Sequence, residues 1–303
     1  MANRPEAFFL ASDFPGSDAS DGGQRFCIYH PPALVSVNEP VRGLVLYVHP
    51  FAEEMNKTRR MAALQSRAFA AAGFAVLQID LLGCGDSSGD FGDATWSAWV
   101  HDVVQGCQWL RAKFALPGEH AAPPLWIWGL RAGCLLAVEA AAKLEEPVSL
   151  LLWQPPASGK PLVQQFLRLK MAGDLLGGQA KGITEALREK LAAGTAVEIA
   201  GYTLSAELAL GLEGATLEAA KDELARPRSE QMIKRIEWME LSTREDASLS
   251  PVSAKTIAQW QNAGTPVRSH VLHGPAFWQT AEIEEAPLLL AASVEALSTE
   301  VSA

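Results

Sequence analysis

Trp126-Ile-Trp-Gly-Leu-Arg-Ala-Gly-Cys-Leu-Leu-Ala137 is the stretch that decides how this chain folds. It opens with large apolar residues, the composition of a strand covered on both faces of a parallel sheet. It closes on Ala and Leu, the composition of a helix. Gly129 and Gly133 stand between the two parts. Glycines so placed fit a sharp strand-to-helix turn in which the helix lies too close for a Cβ. The residue at the centre of that turn is Arg131.

Outward from this segment, short β-branched or aromatic runs alternate with Ala-rich helical runs, which signals βαβ units around a parallel sheet. Strands are expected at residues 43–49, 74–80, 125–128 and 148–153, with further ones at 235–241 and 266–272. Residues 7–11 and 25–30 read as antiparallel strands at one edge. Apolar spacing at three and four residues predicts helices at 58–72, 94–114, 132–144, 253–262 and about 282–297. The result is an α/β chain with a mostly parallel eight-stranded sheet. Residues 155–228 break the rhythm: they open with two prolines and are mainly helical, with one strand-like piece at 196–202. They are expected to form a cap or lid inserted into a core made of residues 1–154 and 229–303.

Composition narrows the function. Hydrophobic residues make up 49% of the 303-residue chain and charged residues 20%, a balance that supports a packed core. Lys and Arg number 25 and Asp and Glu 35, giving a net charge of −10 without a basic block, so nucleic acid is not an expected partner. Cys27, Cys84, Cys107 and Cys134 form no CxxC pair, which argues against a zinc site or a disulfide framework and for a cytoplasmic setting. The N-terminus does not read as a signal peptide, and apolar runs such as Leu288 to Ala292 are too short to span a membrane. Neither a cofactor nor a metal is expected.

The glycine-flanked turn resembles the G-x-S-x-G nucleophile elbow of the α/β-hydrolase fold, with Arg131 in the place of serine. A guanidinium carries no lone pair with which to attack a carbonyl. Arg131 at a helix N-terminus suits two roles: holding a carboxylate or phosphate ligand, or a structural ion pair with Glu53, Glu54 or Asp246. The histidine of that fold follows the last strand, where this chain has Phe277. His273 lies close by, as a packed histidine or a base. Asp246, or Glu245, occupies the approximate position of the acid. The loop after the first parallel strand, His49-Pro-Phe-Ala-Glu-Glu-Met-Asn-Lys-Thr-Arg-Arg60, stands where such folds form an oxyanion hole. It adds His49, Phe51, Glu53, Glu54 and Lys57, with Ala132 beyond the elbow, as candidate ligand-binding residues, and a basic cluster of Lys57, Arg59 and Arg60. Cys134, in the first helical turn where the dipole lowers a thiol pKa, and Cys84, in a loop bordering the crevice, are the candidate substitute nucleophiles; neither has an evident partner base, and buried structural cysteine is the commoner state.

Four motifs, HPFAEEMNKTRRM at 49–61, QIDLLGCGDSSGDFGDATW at 78–96, WIWGLRAG at 126–133 and HGPAFW at 273–278, resemble the exosortase A system-associated hydrolase 2 family. That resemblance implies a bacterial α/β-hydrolase-fold protein encoded with machinery for exopolysaccharide production and for sorting proteins with PEP-CTERM tails. Carried over by residue, Arg131 stands at the nucleophile position and Phe277 at the histidine position. Three functions stay open. One is an accessory that binds a small anionic or acyl ligand without hydrolysing it. Another is an ester or thioester hydrolase with an unorthodox nucleophile or an activated water, and the third is an interaction partner of a companion hydrolase that keeps its serine.

Overall fold

A computed structural model of the chain describes residues 4–14, 23–33, 40–115, 122–174, 182–218 and 230–299. The expected sheet is present. Strands β1 (Glu6–Ala11), β2 (Gln24–His30), β3 (Gly43–Val48), β4 (Phe74–Ile79), β5 (Leu125–Leu130), β6 (Val148–Trp153), β9 (Ile233–Ser242) and β10 (Val267–His273) line up in the order β1-β2-β4-β3-β5-β6-β9-β10. Pairing is antiparallel from β1 to β2 and from β2 to β4, and parallel elsewhere.

Every residue of β3 and β5 is buried, which is why these strands read as unbroken apolar runs. Alternate residues serve opposite layers. Leu44, Leu46 and Val48 face the layer holding α2 (Trp96–Lys113) and α3 (Ala132–Ala141). Val45, Tyr47, Trp126 and Trp128 face α1 (Glu53–Ala71) and the last helix, α8 (Pro287–Ser298). Helix α7 (Pro251–Asn262) precedes β10 and packs Ile257 and Trp260 into the first layer.

Inside the 155–228 stretch, the described residues form α4 (Lys160–Asp174), α5 (Ile183–Ala192), a hairpin and α6 (Ala206–Gly214). The strand expected at 196–202 is instead that hairpin, β7 (Val197–Ile199) with β8 (Tyr202–Leu204). Ala200 and Gly201 turn it with φ of 50° and 83°, the two positive angles of a type I′ turn. A single run of apolar residues concealed two strands because the turn holds Ala where Asn or Asp is usual. The segment is closed at its base by a bridge between Ser158 and Thr216 and by the Leu217 N–H donating to Ala157 O at 2.9 Å. Its Tyr202 stacks edge-on against Phe91, in the loop after β4, and Ser205 Oγ donates to Ala94 O at 2.5 Å.

Two helix starts differ from the expected ones. Helix α1 begins at Glu53, five residues before 58, and no side chain caps it. Helix α8 begins at Pro287 rather than near 282, since proline fits the first turn, where its missing N–H has no intrahelical partner anyway.

The loop at 80–89 is architectural. Asp80 Oδ2 accepts from Arg59 Nη2 at 3.2 Å and from the Asp86 N–H at 3.3 Å, and Ser87 Oγ accepts from the Phe26 N–H at 2.9 Å. Beside it Arg25 and Asp102 form an ion pair of 2.7 Å with both side chains fully buried. Asp102 Oδ2 also accepts the Leu82 N–H at 2.8 Å, so one carboxylate ties β2, α2 and the loop together. Removing it strands a buried guanidinium. Asp102→Ala is therefore expected to cost about 3–5 kcal/mol, read as a lower urea midpoint at an unchanged m value; a loss below about 1 kcal/mol would refute this account.

Candidate active-site elbow

The strand β5 enters the elbow through Gly129, and α3 leaves it through Gly133. A Cβ on Gly129 would press on the backbone of Gly133 and Cys134, and a Cβ on Gly133 would overlap the carbonyl oxygen of Val48 on the neighbouring strand. Both glycines are thus required by backbone contact. At the tip Arg131 adopts φ 55° and ψ −116°, a strained conformation for a residue with a side chain. Its N–H donates to Trp153 O at 3.0 Å, and its own carbonyl accepts the Cys134 N–H at 3.0 Å. Two more non-glycine residues with positive φ follow neighbouring strands: Ala52 at 51° after β3 and Gln154 at 46° after β6.

The Arg131 head group is held by Glu54. Nε lies 3.4 Å from Glu54 Oε2 and Nη2 lies 3.2 Å from Oε1, a two-point fork between side chains that are 12% and 11% exposed. The guanidinium also sits over the Trp278 ring, 5.5 Å from its centre. Burial pushes the Glu54 carboxyl up, while the Arg131 charge and hydrogen bonds pull it back. Among the three carboxylates expected as partners, the chain uses Glu54; it is available because α1 starts early.

The remaining candidates divide. Phe277 is buried, packs against Trp153 and Trp278, and offers no base at the histidine position. His273 is exposed at the end of β10. Asp246 is exposed too and faces Arg244 at 3.8 Å, with Glu245 beside it in the same exposed loop. No hydrogen bond among the described residues joins any of these to Arg131. Lys57 Nζ donates to Gln279 O at 3.5 Å, Arg59 is held by Asp80, and Arg60 bonds Glu285, so the expected basic cluster is dispersed.

His49 is held at both ring nitrogens. Its Nδ1 lies 2.8 Å from Pro50 O and its Nε2 accepts the Leu81 N–H at 3.3 Å, which fixes the proton on Nδ1. Burial lowers its pKa from 6.5. Cys134 departs from the helix-terminus expectation: its thiol is buried and donates to Gly129 O at 3.2 Å and Trp153 O at 3.5 Å. Burial raises its pKa despite the nearby Arg131 charge. Cys84 is raised likewise, burial again leading. Neither is an activated thiolate.

Phe51, Glu53, Glu54 and, from α4, Leu162, Gln165 and Phe166 line a cleft beside the ion-paired Glu54, which amounts to about 20 Å³. That is room for about one water. Phe166 packs edge-on against Phe51 at 5.0 Å between ring centres. Trp278, against Arg131, and Phe166, in the cleft beside Glu54, were not legible as site residues, because only the tertiary fold brings them there. Among the described residues, no cluster of three or more His, Cys, Asp or Glu is placed to hold a metal.

A parallel sheet with antiparallel strands at one edge, a glycine-flanked strained turn after β5 and a helical excursion after β6 together fix the architecture. This is an α/β-hydrolase fold. The Hydrolase_4 family, described as serine aminopeptidase, S33, matches residues 39–184. Among solved structures, the chain is similar to a soluble variant of monoglyceride lipase from Saccharomyces cerevisiae in complex with a substrate analogue, at 16% identity, TM-score 0.60, over 97% of this chain and 95% of that one. It is also similar to Est1E from Butyrivibrio proteoclasticus with ferulic acid bound, at 17% identity, TM-score 0.57, over 91% and 94%. A carboxyl esterase from Bacillus coagulans in complex with glycerol shares 15% identity, TM-score 0.55, over 89% and 90%. No curated protein matches the chain. No helix among the described residues is long and apolar enough to cross a membrane.

Two outcomes follow from the elbow of this α/β-hydrolase fold. Arg131→Ala leaves Glu54 shielded without its partner and is expected to cost on the order of 2–4 kcal/mol, slightly under the range for fully buried pairs. Adding Glu54→Ala should return part of that loss, and strict additivity in the cycle would show that the pair is not coupled. The lowered pKa of His49 means that its contribution to stability is present above pH 6.5 and lost as pH falls below it. Unfolding midpoints of wild type and His49→Asn should therefore converge as pH drops from 7 toward 5; a constant gap would contradict the assignment.

Proposed function

We propose that this chain is a non-hydrolytic α/β-hydrolase-fold accessory protein, acting in the cytoplasm alongside the exosortase A and PEP-CTERM exopolysaccharide machinery that its motifs resemble. One observation carries the reading: the elbow tip bears Arg131, whose Nε and Nη2 are held by Glu54, a residue that also lines a cleft of only about 20 Å³. A guanidinium neither attacks a carbonyl nor takes up a proton as a base. Its paired state also argues that Arg131 is a fixed structural cation rather than an open anion receptor, which favours the structural of its two sequence-level roles. Residues 155–228 then serve as a cap that closes the crevice, with Phe166 as its plug. Association with a companion hydrolase that keeps its serine accounts for retaining the fold without the chemistry.

The relatives bring ester chemistry as the class to test. Purified protein given p-nitrophenyl acetate, p-nitrophenyl butyrate or a short acyl-CoA is expected to release product no faster than buffer. Turnover above background that vanishes in Arg131→Ala or Asp246→Ala would overturn the proposal in favour of an unorthodox hydrolase. Deletion of the gene is expected to disturb exopolysaccharide output or PEP-CTERM sorting, and normal levels of both would remove the pathway assignment.

A further inference from the structure

We propose that the outer face of α8 joins this chain to a second copy of itself in an antiparallel, two-fold pairing. Glu295 is the one charged residue among the twelve of α8. A helix apolar nearly all round is normally covered on every side, yet Pro287, Leu288, Ala291 and Glu295 of α8 lie exposed. Leu288 is 55% exposed, and Ile283, in the loop that leads into the helix, is 71% exposed, more than any other large hydrophobic residue described. Such a surface calls for a partner.

The two ends of α8 select the occupant. Before its N-terminal end stands Ile283 between the exposed Glu282 and Glu284; neither glutamate forms an ion pair among the described residues, whereas Glu285 is taken by Arg60. Its C-terminal end borders a cleft of about 400 Å³ with apolar wall from Phe74, Trp126 and Leu297. The exposed Arg42 stands at that cleft, its guanidinium over the Phe74 ring and its Nη2 donating to Ser298 O at 3.4 Å. Arg235 is also there, but Glu237 at 3.0 Å and the carbonyl oxygens of Ala296 and Thr299 already hold it, so Arg42 supplies the charge that lacks a carboxylate among the described residues. An acidic apolar knob and a basic apolar hole thus lie at opposite ends of one helix, about 18 Å long. A two-fold axis near Ala291 exchanges those ends, seating Ile283 of each copy in the partner's cleft and its two glutamates against the partner's Arg42. That self-complementarity favours a second copy over an unrelated protein, for which either end alone would serve.

Sedimentation equilibrium of the full chain tests this. A reversible dimer of the 32.5 kDa chain is expected, and Ile283→Asp should weaken it at least about thirtyfold, the scale of a lost hot spot. Charge reversal gives the sharper result. Arg42→Glu alone, and Glu282→Arg with Glu284→Arg, should each be monomeric, because every copy then meets its own sign across the axis. Mixed in equal amounts, the two variants should form a mixed dimer, since both contacts are again between opposite charges; that recovery also shows that neither variant has simply failed to fold. A chain that stays monomeric up to about 100 µM, a weak limit for a specific contact, would give the face to another protein and overturn the proposal. A dimer indifferent to Ile283→Asp, or reversed variants that do not pair when mixed, would overturn it too.

Discussion

The backbone contact between β5, α3 and the end of β3 is the constraint from which the centre of this molecule follows. Because Gly129 faces the backbone of Gly133, and Gly133 faces the carbonyl oxygen of Val48, strand and helix meet with no side chain between them. The chain can reverse there only by placing the residue between them in a conformation of positive φ. Whatever occupies position 131 is therefore thrust out at the carboxyl ends of the strands, at the first turn of α3. In this chain that residue is an arginine, so the geometry that exposes a nucleophile elsewhere delivers a permanent charge here.

A charge delivered to a nearly closed site must bring a counter-charge, since an uncompensated buried ion costs several kcal/mol. Glu54 meets that need because α1 starts immediately after the strained Ala52, which places the carboxylate in the first helical turn within reach of the elbow. Trp278 closes the other side with the face of its ring, a favourable partner for a guanidinium. Phe277 packs against Trp278, and Phe166 lines the cleft that Glu54 also lines. Exclusion of water strengthens the fork, and the fork in turn leaves little space for anything else.

Much of this was legible in the sequence, for physical reasons that also mark where legibility stopped. Strands buried on both faces carry their signal in composition alone, so β3, β5 and β6 lie where their apolar runs placed them. The Gly129-x-Arg131-x-Gly133 turn was visible because backbone crowding demands glycine whatever the chemistry. The start of α1 was hidden: it has no capping side chain, and its first turn reads as loop. The hairpin at Ala200 and Gly201 was hidden because its turn residues are atypical. Glu54 could be named only as one of three partners, since pairing across 77 positions is decided by the fold. For Cys134 the helix terminus suggested a lowered pKa, but whether burial outweighs it depends on how completely the fold closes over the thiol, and here burial leads.

The three strained residues explain why an elbow persists around a side chain that cannot attack. Ala52, Arg131 and Gln154 each hold positive φ in the loops after β3, β5 and β6, a cost of about 1–3 kcal/mol apiece. Each of the last two is locked by the strand beside it: the Arg131 N–H donates to Trp153 O, and the Gln154 N–H to Met239 O at 2.8 Å. Gln154 Oε1 then accepts the Leu241 N–H at 2.9 Å, extending the chain of contacts to β9. Relaxing the turn at Arg131 or at Gln154 would break a bond belonging to the next strand. The strain is thus a property of how the parallel strands end together, and it survives a change of chemistry at the tip because the sheet, not the reaction, sustains it.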